Sequence, residues 1–562
     1  MNSVASRAAG RGGWLAQSLS QLREFRPRLT IEQLALAAAA FFTVFCNTAF
    51  FREVAATGAL HGLGGWRTGL SLFVLVGALN MVLLCLLLNR WTAKPVLAVL
   101  LLVTSLAAHF MSQYTVYLDP DMVRNVLHTD GKESGELMSL GVLPSLLILG
   151  VVPSLLLWRV RIRTRPFGKA LLVRAATLVA ALVVAALAAL ASFQDLSALM
   201  RNHHEVRHLI TPGNYLVSLG RVTLEDEAAK HRPRTPLGLE AKVVGRPANA
   251  RPRLLVLVVG ETVRAQNWGL DGYARDTTPQ LARIDPINFR DVTSCGSATE
   301  VSVPCMFSPW GRANYDKDRV RHSESLLHVL QHAGVATLWR DNQTGCKGVC
   351  EGLPFESFEH ATDPRHCDAE GCLDAVMLDD LPEHIARQTG DAVVVLHQLG
   401  NHGPSYYKRY PPQLRHFAPT CDTAELGQCS RESIVNAYDN AVLYTDDFLA
   451  RTIGLLAQQT GRDTALIYLS DHGESLGENG LYLHGVPYAI APSTQTRVPM
   501  VMWLSPGFAR SRGVDLACLR REGDSTAASQ DNLFHSVLGL MQVSTPEYDA
   551  GKDLFRACTP VT

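Results

Sequence analysis

The sequence predicts a five-helix transmembrane domain followed by a soluble α/β domain in which helices cover both faces of a mostly parallel sheet. Two observations lead to this prediction. Long apolar runs dominate the chain before about residue 195, whereas strand-like and helix-like segments alternate in the remainder. We therefore divide the 562 residues into a transmembrane domain (1–194), a juxtamembrane helix and linker (195–252) and a soluble domain (253–562).

Five apolar segments are long enough to cross the hydrocarbon core of a bilayer, which takes about 20 helical residues. They lie at about residues 32–51, 69–89, 95–112, 139–158 and 175–193. Basic residues cluster before the first segment, between the second and third, and between the fourth and fifth, whereas the loop between the third and fourth is acidic. Because basic flanks stay in the cytoplasm, we expect a cytoplasmic N-terminus and a soluble domain on the other side.

The cysteines support this orientation. Ten of the twelve follow residue 290 in close pairs, while Cys46 and Cys85 lie in apolar runs. An even number at short spacings indicates disulfides in an oxidising compartment, although a zinc–thiolate site or free thiols are the alternatives. The simplest connectivity joins neighbours: Cys295–Cys305, Cys346–Cys350, Cys367–Cys372, Cys421–Cys429 and Cys518–Cys558.

The segment between the two domains has two parts. Residues 195–219 are amphipathic, which suits a helix along the membrane surface or a plain juxtamembrane helix. From about Arg221 to Arg253 the chain is polar and contains four prolines, so we expect a linker there.

Carboxylates and imidazoles follow the predicted strands of the soluble domain. The strands are apolar, β-rich runs of the type found in buried parallel sheets, at 254–259, 392–396, 464–469 and 498–503. Sites in such sheets form at the carboxyl ends of strands. The polar residues there include Glu261, His397, His402, Asp471, His472, Glu474 and His484. A single strand-end histidine is usually structural, but this combination predicts a metal site, with Zn²⁺ favoured over Mn²⁺.

A hydroxyl-rich segment, 293–308, is the candidate source of a nucleophile. A hydroxyl at a helix N-terminus meets backbone N–H donors and the positive end of the helix dipole, which suits a phosphate. Zinc would favour its alkoxide form. The candidates are Ser294, Ser297, Thr299 and Ser302, and the alternative is that they only cap a helix.

Several segments together resemble the lipid A phosphoethanolamine transferases, a group in the alkaline phosphatase superfamily that includes the mobile colistin-resistance enzymes. These segments are 259–264, 267–272, 294–307, 339–342, 400–403, 437–440 and 470–480. Their order and number make the resemblance specific, and it extends over nearly the whole chain. It implies an alkaline phosphatase-like soluble domain in the periplasm and a multi-pass anchor in the bacterial inner membrane.

The resemblance also implies roles for individual residues, and it selects Thr299 as the nucleophile. The residues that match zinc ligands are Glu261, Thr299, Asp471 and His472. The residues that match positions near the phosphate, the headgroup or a second zinc are His402, His484 and Lys347. Glu300 departs from the family pattern, which has a small residue after the nucleophile. Its charge would either affect donor handling or point to solvent.

A further patch implied by the resemblance lies in the loop between the third and fourth spans. It consists of Asn125, Thr129 and Glu133, whose spacing of four residues would align them on one helix face. The alternative is a solvated helix face with no role in binding.

The resemblance implies a zinc-dependent enzyme with one or two Zn²⁺ ions. It would transfer phosphoethanolamine from phosphatidylethanolamine to lipid A through a phosphoethanolamine–threonine intermediate, giving polymyxin and colistin resistance. Its partners would be these two amphiphiles and the membrane lipids. The 52 basic and 52 acidic residues give no indication of nucleic acid, and we expect a monomer.

Other functions remain open at this stage. Another headgroup, such as phosphoglycerol, or another acceptor, such as a core sugar or glycan, would suit the same residues. A phosphatase, a sulfatase or a non-catalytic envelope sensor are the further alternatives.

Overall fold

The structure is a computed structural model, which describes residues 26–129, 135, 137–230, 233–247, 249–368 and 371–559. The chain forms two compact units. The membrane unit comprises residues up to 112 together with 140–218, and the sheet unit comprises 113–139 together with the residues from 219 onward. The sheet unit thus includes a segment, 113–139, that we assigned to the transmembrane domain from the sequence.

The membrane unit is helical. Its helices are α1 (Ile31–Phe41), α2 (Thr48–Ala56), α3 (Gly62–Leu87), α4 (Ala93–Tyr114), α6 (Val142–Arg159), α7 (Phe167–Ala191) and α8 (Phe193–Asn202), and α5 (Pro120–His128) belongs to the sheet unit. Helices α3, α4, α6 and α7 are each long and apolar enough to cross a membrane. The bent pair formed by α1 and α2 makes a fifth span if it is counted as one.

The first predicted span is not a single straight helix. The segments Ile31–Cys46 and Thr48–Ala56 are bent by 49° at Asn47. The Asn47 side chain donates to the carbonyls of Phe42 and Thr211, each at 2.9 Å, and accepts from the Thr211 N–H at 2.9 Å. A side chain inserted into the helical hydrogen-bond ladder kinks a helix.

The connector differs from the prediction in two ways. The amphipathic stretch 195–219 is divided among α8, a 3₁₀ turn (His204–Leu209) and α9 (Gly213–Lys230). Helix α9 also occupies the first ten residues, Arg221–Lys230, of the segment predicted as a linker. The prolines that indicated a linker lie after residue 230, and within the helix Arg221 and Glu225 form an i,i+4 ion pair at 2.8 Å.

The sheet unit is built on a seven-stranded sheet. Its strands are β1 (Arg253–Gly260), β2 (Ile287–Phe289), β3 (Ala336–Asp341), β4 (Phe355–Ser357), β5 (Ala392–His397), β6 (Asp463–Ser470) and β7 (Met500–Leu504), in the order β2-β7-β6-β1-β5-β3-β4. The pairs from β6 through β4 are parallel, whereas β7 is antiparallel to both β6 and β2. The mostly parallel sheet is therefore confirmed, but the 498–503 run is an antiparallel strand.

Helices cover both faces of this sheet. They are α10 (Pro279–Ile284), α11 (Thr299–Met306), α12 (Lys317–Arg321), α13 (Leu326–His332), α14 (Leu381–Arg387), α15 (Arg431–Ala457), α16 (Pro506–Arg512), α17 (Leu516–Ser525) and α18 (Leu533–Met541). Alternate residues of β1 enter two separate cores, with Leu255 and Leu257 on the α18 side and Leu254 and Val256 on the α15 side. Burial of each such side chain stabilises the fold by about 1.5–3 kcal/mol.

Helix α5 ends earlier than the spacing of the predicted patch requires. It begins at Pro120, with Asp119 as its N-cap, and ends at His128, after which Thr129 has extended backbone angles (φ −65°, ψ 129°). Asn125 and Thr129 are therefore not on one continuous helix, and Glu133 lies outside the described residues. The sequence continues as Asp130-Gly131, residue types that favour turns.

The ten cysteines of the sheet unit are joined as sequence neighbours. The disulfides are Cys295–Cys305, Cys346–Cys350, Cys367–Cys372, Cys421–Cys429 and Cys518–Cys558. Cys46 and Cys85 are buried free thiols. Two disulfides flank candidate site residues: Cys295–Cys305 joins the segment before α11 to the end of that helix, and Cys346–Cys350 closes the turn that carries Lys347.

Candidate functional site

Glu261 and Asp471 follow two neighbouring parallel strands. The register pairs Gly260 of β1 with Ser470 of β6, so the next residue of each strand emerges at the same edge of the sheet. The Thr262 N–H donates to Asp471 Oδ1 at 3.1 Å, which fixes that carboxylate. Thr262 has a positive φ of 56°, a strained conformation for a β-branched residue that is typical of functional sites.

A glycine allows a second loop to contact Glu261. Gly400, which follows β5, has φ +53°, and a Cβ at this position would lie 2.7 Å from the Glu261 carbonyl oxygen. The loop that leads to His402 therefore packs directly against Glu261, and any side chain at residue 400 would push it away.

Thr299 begins helix α11 and points at these carboxylates. Its Oγ1 lies 3.1 Å and 3.3 Å from the two carboxylate oxygens of Glu261 and 3.2 Å from His472 Nε2. His472 Nε2 in turn lies 3.4 Å from Glu261 and 3.3 Å from Asp471 Oδ2. We refer to Glu261, Thr299, Asp471 and His472 as the metal-type cluster.

The cluster is buried and rich in negative charge. Glu261, Asp471 and His472 are each 0% exposed, and Thr299 is 4% exposed. Burial raises the pKa of Asp471 to about 6, and the charge of Glu261 adds to this rise. Burial acts against the protonated His472, but the charges of Asp471 and Glu261 outweigh it and raise the pKa of His472 to about 10. The two carboxylates thus attract positive charge strongly.

The donor set fits a metal ion. One ligand atom from each of Glu261, Asp471 and His472 lies within 4.8 Å of the others. Asp471 Oδ2 is buried and has no hydrogen-bond partner in the described part of the chain, which is unusual for a carboxylate oxygen. Two carboxylates, one imidazole and one hydroxyl form a four-ligand oxygen and nitrogen set that suits Zn²⁺.

The four candidate hydroxyls point in different directions. Ser294 Oγ donates to the Gly296 carbonyl at 2.5 Å, and Ser297 Oγ donates to the Val486 carbonyl at 2.6 Å. Ser302 is buried, and its hydroxyl has no hydrogen-bond partner among the described residues. Of these four candidates, Thr299 is the one with hydrogen bonds to the metal-type cluster.

His402 and His484 lie beside the cluster. The His484 ring centroid is 4.4 Å from that of His472 and 5.5 Å from that of His402. His484 Nδ1 lies 3.2 Å from Glu474 Oε2, which orients the ring. Burial lowers the pKa of His402 to about 3, so its imidazole is neutral at physiological pH.

Lys347 lies on the other side of α11, against Glu300. Lys347 Nζ is 3.6 Å from Glu300 Oε1 and also donates to the Thr344 carbonyl at 3.1 Å. Glu300 is 2% exposed, so the alternative in which its side chain points to solvent is wrong. Its carboxylate also contacts Arg321 at 2.8 Å and His128 at 2.9 Å.

Only part of the predicted patch on α5 lies in the described structure near this site. Asn125 and Thr129 are both half-buried, and the Thr129 hydroxyl donates to the Asn125 carbonyl at 2.8 Å. Met122, one helical turn before Asn125, packs so closely against Gly485 that a Cβ at residue 485 would lie 2.4 Å from Met122 Cε. Helix α5 therefore contacts the turn that carries His484.

Sequence reasoning missed several residues that support the site. His128 and Arg321 were not singled out, since nothing in the sequence connects them with Glu300. The pairing of His397 with Asp341 was also missed, although His397 was named as a strand-end residue and Asp341 lies in the 339–342 segment. The two side chains are 2.7 Å apart and fully buried, and they join the ends of β3 and β5.

Two family models match the chain. The model described as phosphoethanolamine transferase EptA/EptB matches residues 75–226, and the model described as sulfatase matches residues 253–543. Phosphoethanolamine transferase EptA of Escherichia coli (strain K12) is 38% identical over 548 residues, 96% of this chain and 98% of the relative. Phosphatidylethanolamine transferase Mcr-1 of Escherichia coli is 38% identical over 490 residues, 84% of this chain and 89% of the relative.

A solved structure is similar over nearly the whole length. It is that of the integral membrane protein lipooligosaccharide phosphoethanolamine transferase A (EptA) from Neisseria meningitidis. It matches with a TM-score of 0.90 and 37% identity, covering 95% of this chain and all of the relative. The predicted combination of a transmembrane helical domain and a soluble α/β domain is thereby confirmed.

Proposed function

Because the chain belongs to the EptA/EptB family of phosphoethanolamine transferases, we propose that it transfers phosphoethanolamine from phosphatidylethanolamine to lipid A. The name of Mcr-1 supports the donor, and that of the Neisseria enzyme supports a lipooligosaccharide acceptor. The observation that carries the proposal is the position of Thr299 Oγ1, within 3.3 Å of both Glu261 and His472 at the start of α11.

In the first step Thr299 Oγ1, as the alkoxide left when its proton passes to solvent, attacks the phosphorus of phosphatidylethanolamine. The bond from phosphorus to the diacylglycerol oxygen breaks, and that oxygen takes up a proton as diacylglycerol leaves. His484, oriented by Glu474, is our candidate proton donor. The N-terminal backbone N–H groups of α11 would stabilise negative charge on the phosphoryl oxygens.

In the second step an acceptor oxygen of lipid A attacks the phosphorus of the phosphoethanolamine–threonine intermediate. The bond to Thr299 Oγ1 breaks, which regenerates the enzyme. When the acceptor is a hydroxyl, His402, whose ring lies 5.5 Å from that of His484, is our candidate for accepting its proton. Covalent catalysis divides one difficult transfer into two easier ones.

We assign one Zn²⁺ to Glu261, Thr299, Asp471 and His472, and leave a second ion near His402 and His484 as a proposal. Zinc bound at the first position would polarise the phosphoryl group and favour the ionised Thr299 hydroxyl. The excess negative charge of the cluster and the unpartnered Asp471 Oδ2 support this assignment.

We infer that the protein lies in the bacterial inner membrane, with its N-terminus in the cytoplasm and its sheet unit in the periplasm. The charges that flank the spans and the five disulfides support this orientation. Addition of phosphoethanolamine would place a cationic amine on lipid A, so we expect weaker binding of cationic polymyxins and hence resistance.

The test is the mass of the full-length protein, purified in detergent with zinc and incubated with phosphatidylethanolamine. We expect the mass to increase by one phosphoethanolamine group, and this adduct to disappear when lipid A is added. Thr299→Ala should form no adduct, whereas Ser294→Ala, which changes a hydroxyl that points away, should form it normally.

Three outcomes would contradict the proposal. An adduct that persists in Thr299→Ala would exclude Thr299 as the nucleophile. Phosphoglycerol in place of phosphoethanolamine would change the substrate class, and release of free phosphoethanolamine without modified lipid A would indicate a hydrolase.

A further inference from the structure

Glu300 is a buried carboxylate with an unusual position. It follows Thr299 on the first turn of α11, so the backbone ties its location to that of the nucleophile. Its side chain is 2% exposed. Burial of a charged carboxylate is costly unless cations and hydrogen bonds compensate it, so the structure must supply them.

Three cationic or titratable side chains converge on this carboxylate from three separate segments. His128, the last residue of α5, contacts Glu300 Oε1 at 2.9 Å, and Arg321, the last residue of α12, contacts Oε2 at 2.8 Å. Lys347 Nζ lies 3.6 Å from Oε1. These contacts supply the positive charge and hydrogen bonds that compensate a buried carboxylate. We refer to Glu300, His128, Arg321 and Lys347 as the Glu300 cluster.

Lys347 is the most buried of the three side chains that surround Glu300. Its side chain is only 3% exposed, and within the described residues Glu300 is the carboxylate that lies within 4 Å of its ammonium. The ammonium also contacts Thr344, and the backbone at Lys347 has a positive φ of 50° inside the turn closed by Cys346 and Cys350. A buried ammonium on a strained turn needs a fixed anion to hold one position.

His128 connects the same carboxylate with α5. The rest of α5 is fixed independently, because Arg124 bonds Glu225 at 2.8 Å and Asp226 at 3.1 Å, and Asp121 pairs with Lys317. The Glu300 contact therefore orients the end of the helix, next to Thr129, and does not hold the whole helix in place.

We propose that Glu300 is a positioning residue, which holds the Lys347 ammonium and the end of α5 at a fixed distance from Thr299. The ligand class is a phosphodiester with an ethanolamine headgroup, so this inference rests on the proposed function. Lys347 would contact the anionic phosphodiester, and the end of α5 the headgroup. Glu300 would touch neither, because the other side chains of its cluster surround its carboxylate.

The test is a double-mutant cycle on the full-length protein, with the rate of Thr299 adduct formation as the measurement. Glu300→Gln keeps the shape and removes the charge, and we expect kcat/KM for the donor to fall about tenfold, within the range found for directly coupled residues. Lys347→Met should lower kcat/KM for the donor by more than tenfold. The double variant should be slower than Lys347→Met alone by no more than the about threefold that the end of α5 contributes, because Glu300 otherwise acts through Lys347.

Two controls separate this role from a general loss of stability. The zinc content of Glu300→Gln should equal that of the wild type. Glu324→Gln, which removes a comparable carboxylate paired with His332 at 2.8 Å, should leave the kinetics unchanged. Additive effects of Glu300→Gln and Lys347→Met would overturn the inference, and so would an unchanged rate in Glu300→Gln.

A second variant addresses the possibility that Glu300→Gln does not fold. His128→Gln replaces the half-exposed member of the Glu300 cluster. Glu300 keeps Arg321 and Lys347, so this variant leaves no buried charge without a partner. We expect KM for the donor to rise about threefold with kcat unchanged. An unchanged KM would overturn the part played by α5. A wild-type protein that forms no adduct would overturn the inference together with the proposed function, whereas the other failures leave that function intact.

Discussion

Thr299 and Glu300 are adjacent on α11, yet their side chains lie in two buried clusters of opposite charge balance. The metal-type cluster holds two carboxylates against one imidazole, and Asp471 Oδ2 accepts no hydrogen bond within the described chain, although His472 Nε2 lies 3.3 Å away. The Glu300 cluster holds one carboxylate against a guanidinium, an ammonium and an imidazole. Because buried charge is stable only when it is compensated, the first cluster favours an added cation and the second an added anion.

The difference shows how one helical turn can serve a phosphoryl transfer. Successive residues of an α-helix are about 100° apart around its axis, so neighbours can face different environments. A phosphodiester reacting at Thr299 needs a cation near its oxygens and fixed positive side chains around its charge. The two clusters would supply these separately, and the following predictions test whether they act separately.

The largest effect is expected from Asp471→Asn. It removes one of the two carboxylate charges from the metal-type cluster and leaves the Glu300 cluster unchanged. Loss of a residue that only supports a metal ligand lowers metal affinity or activity by about 10- to 100-fold. Loss of a ligand itself should therefore lower the rate of adduct formation by about 100-fold or more. Metal analysis should find little zinc in this variant and a normal amount in Glu300→Gln. Normal zinc in Asp471→Asn would refute the ligand assignment.

Removal of zinc should destabilise the fold in a pH-dependent way. In the metal-free protein the pKa of Asp471 is raised to about 6, so the stability of the fold decreases as pH rises from the unfolded pKa of about 3.9 towards 6. The pKa of His472 is raised to about 10, so the stability it contributes is lost as pH rises from its unfolded value of about 6.5 towards 10. Both effects weaken the metal-free protein as pH increases.

A chelator should therefore lower the Tm by several degrees more at about pH 8.5 than at about pH 6. Thermal melting with and without chelator measures this difference. Glu300→Gln should show the same chelator shifts as the wild type, and Asp471→Asn should show almost none. Equal shifts at both pH values would contradict the charge balance that we assign to the metal-type cluster.

The smallest effect is expected from Cys346→Ser/Cys350→Ser. The disulfide closes a separation of only 4 residues, so its loss should cost little stability but should free the turn that holds Lys347. We expect a few-fold loss of turnover with normal zinc content. Cys518→Ser/Cys558→Ser is the matched control. Its separation of 40 residues corresponds to about 4 kcal/mol of loop entropy, so the Tm should fall further while turnover in the folded protein stays normal. Normal turnover in Cys346→Ser/Cys350→Ser, with reduced turnover in Cys518→Ser/Cys558→Ser, would show that the function of Lys347 does not depend on its turn.

The sequence predicted the metal-type cluster better than the Glu300 cluster, for a physical reason. Glu261, Asp471 and His472 directly follow buried strands. Adjacent parallel strands bring their carboxyl ends together independently of how the helices pack. Thr299 could not be separated from Ser294, Ser297 and Ser302 by composition, because the choice depends on which hydroxyl faces the sheet edge. Family resemblance selected it.

The contacts of Glu300 could not be predicted from local pattern. Its partners lie at residues 128, 321 and 347, so they meet only through the tertiary fold. The bend at Asn47 has the same origin, because its partner Thr211 is 164 residues away. The apolar composition of residues 32–51 predicted a membrane span, but it contains no information about a distant hydrogen-bond partner.

The sheet unit is discontinuous in sequence, since α5 belongs to it although it lies between α4 and α6. This arrangement has a consequence for biosynthesis. The ribosome makes α5 before Glu225 and Asp226, so the Arg124 guanidinium, 1% exposed in the folded protein, has neither of these carboxylate partners when it first emerges. We therefore expect α5 to dock only after the later part of the chain has been made. A gene fragment that begins at residue 253 would never encode it.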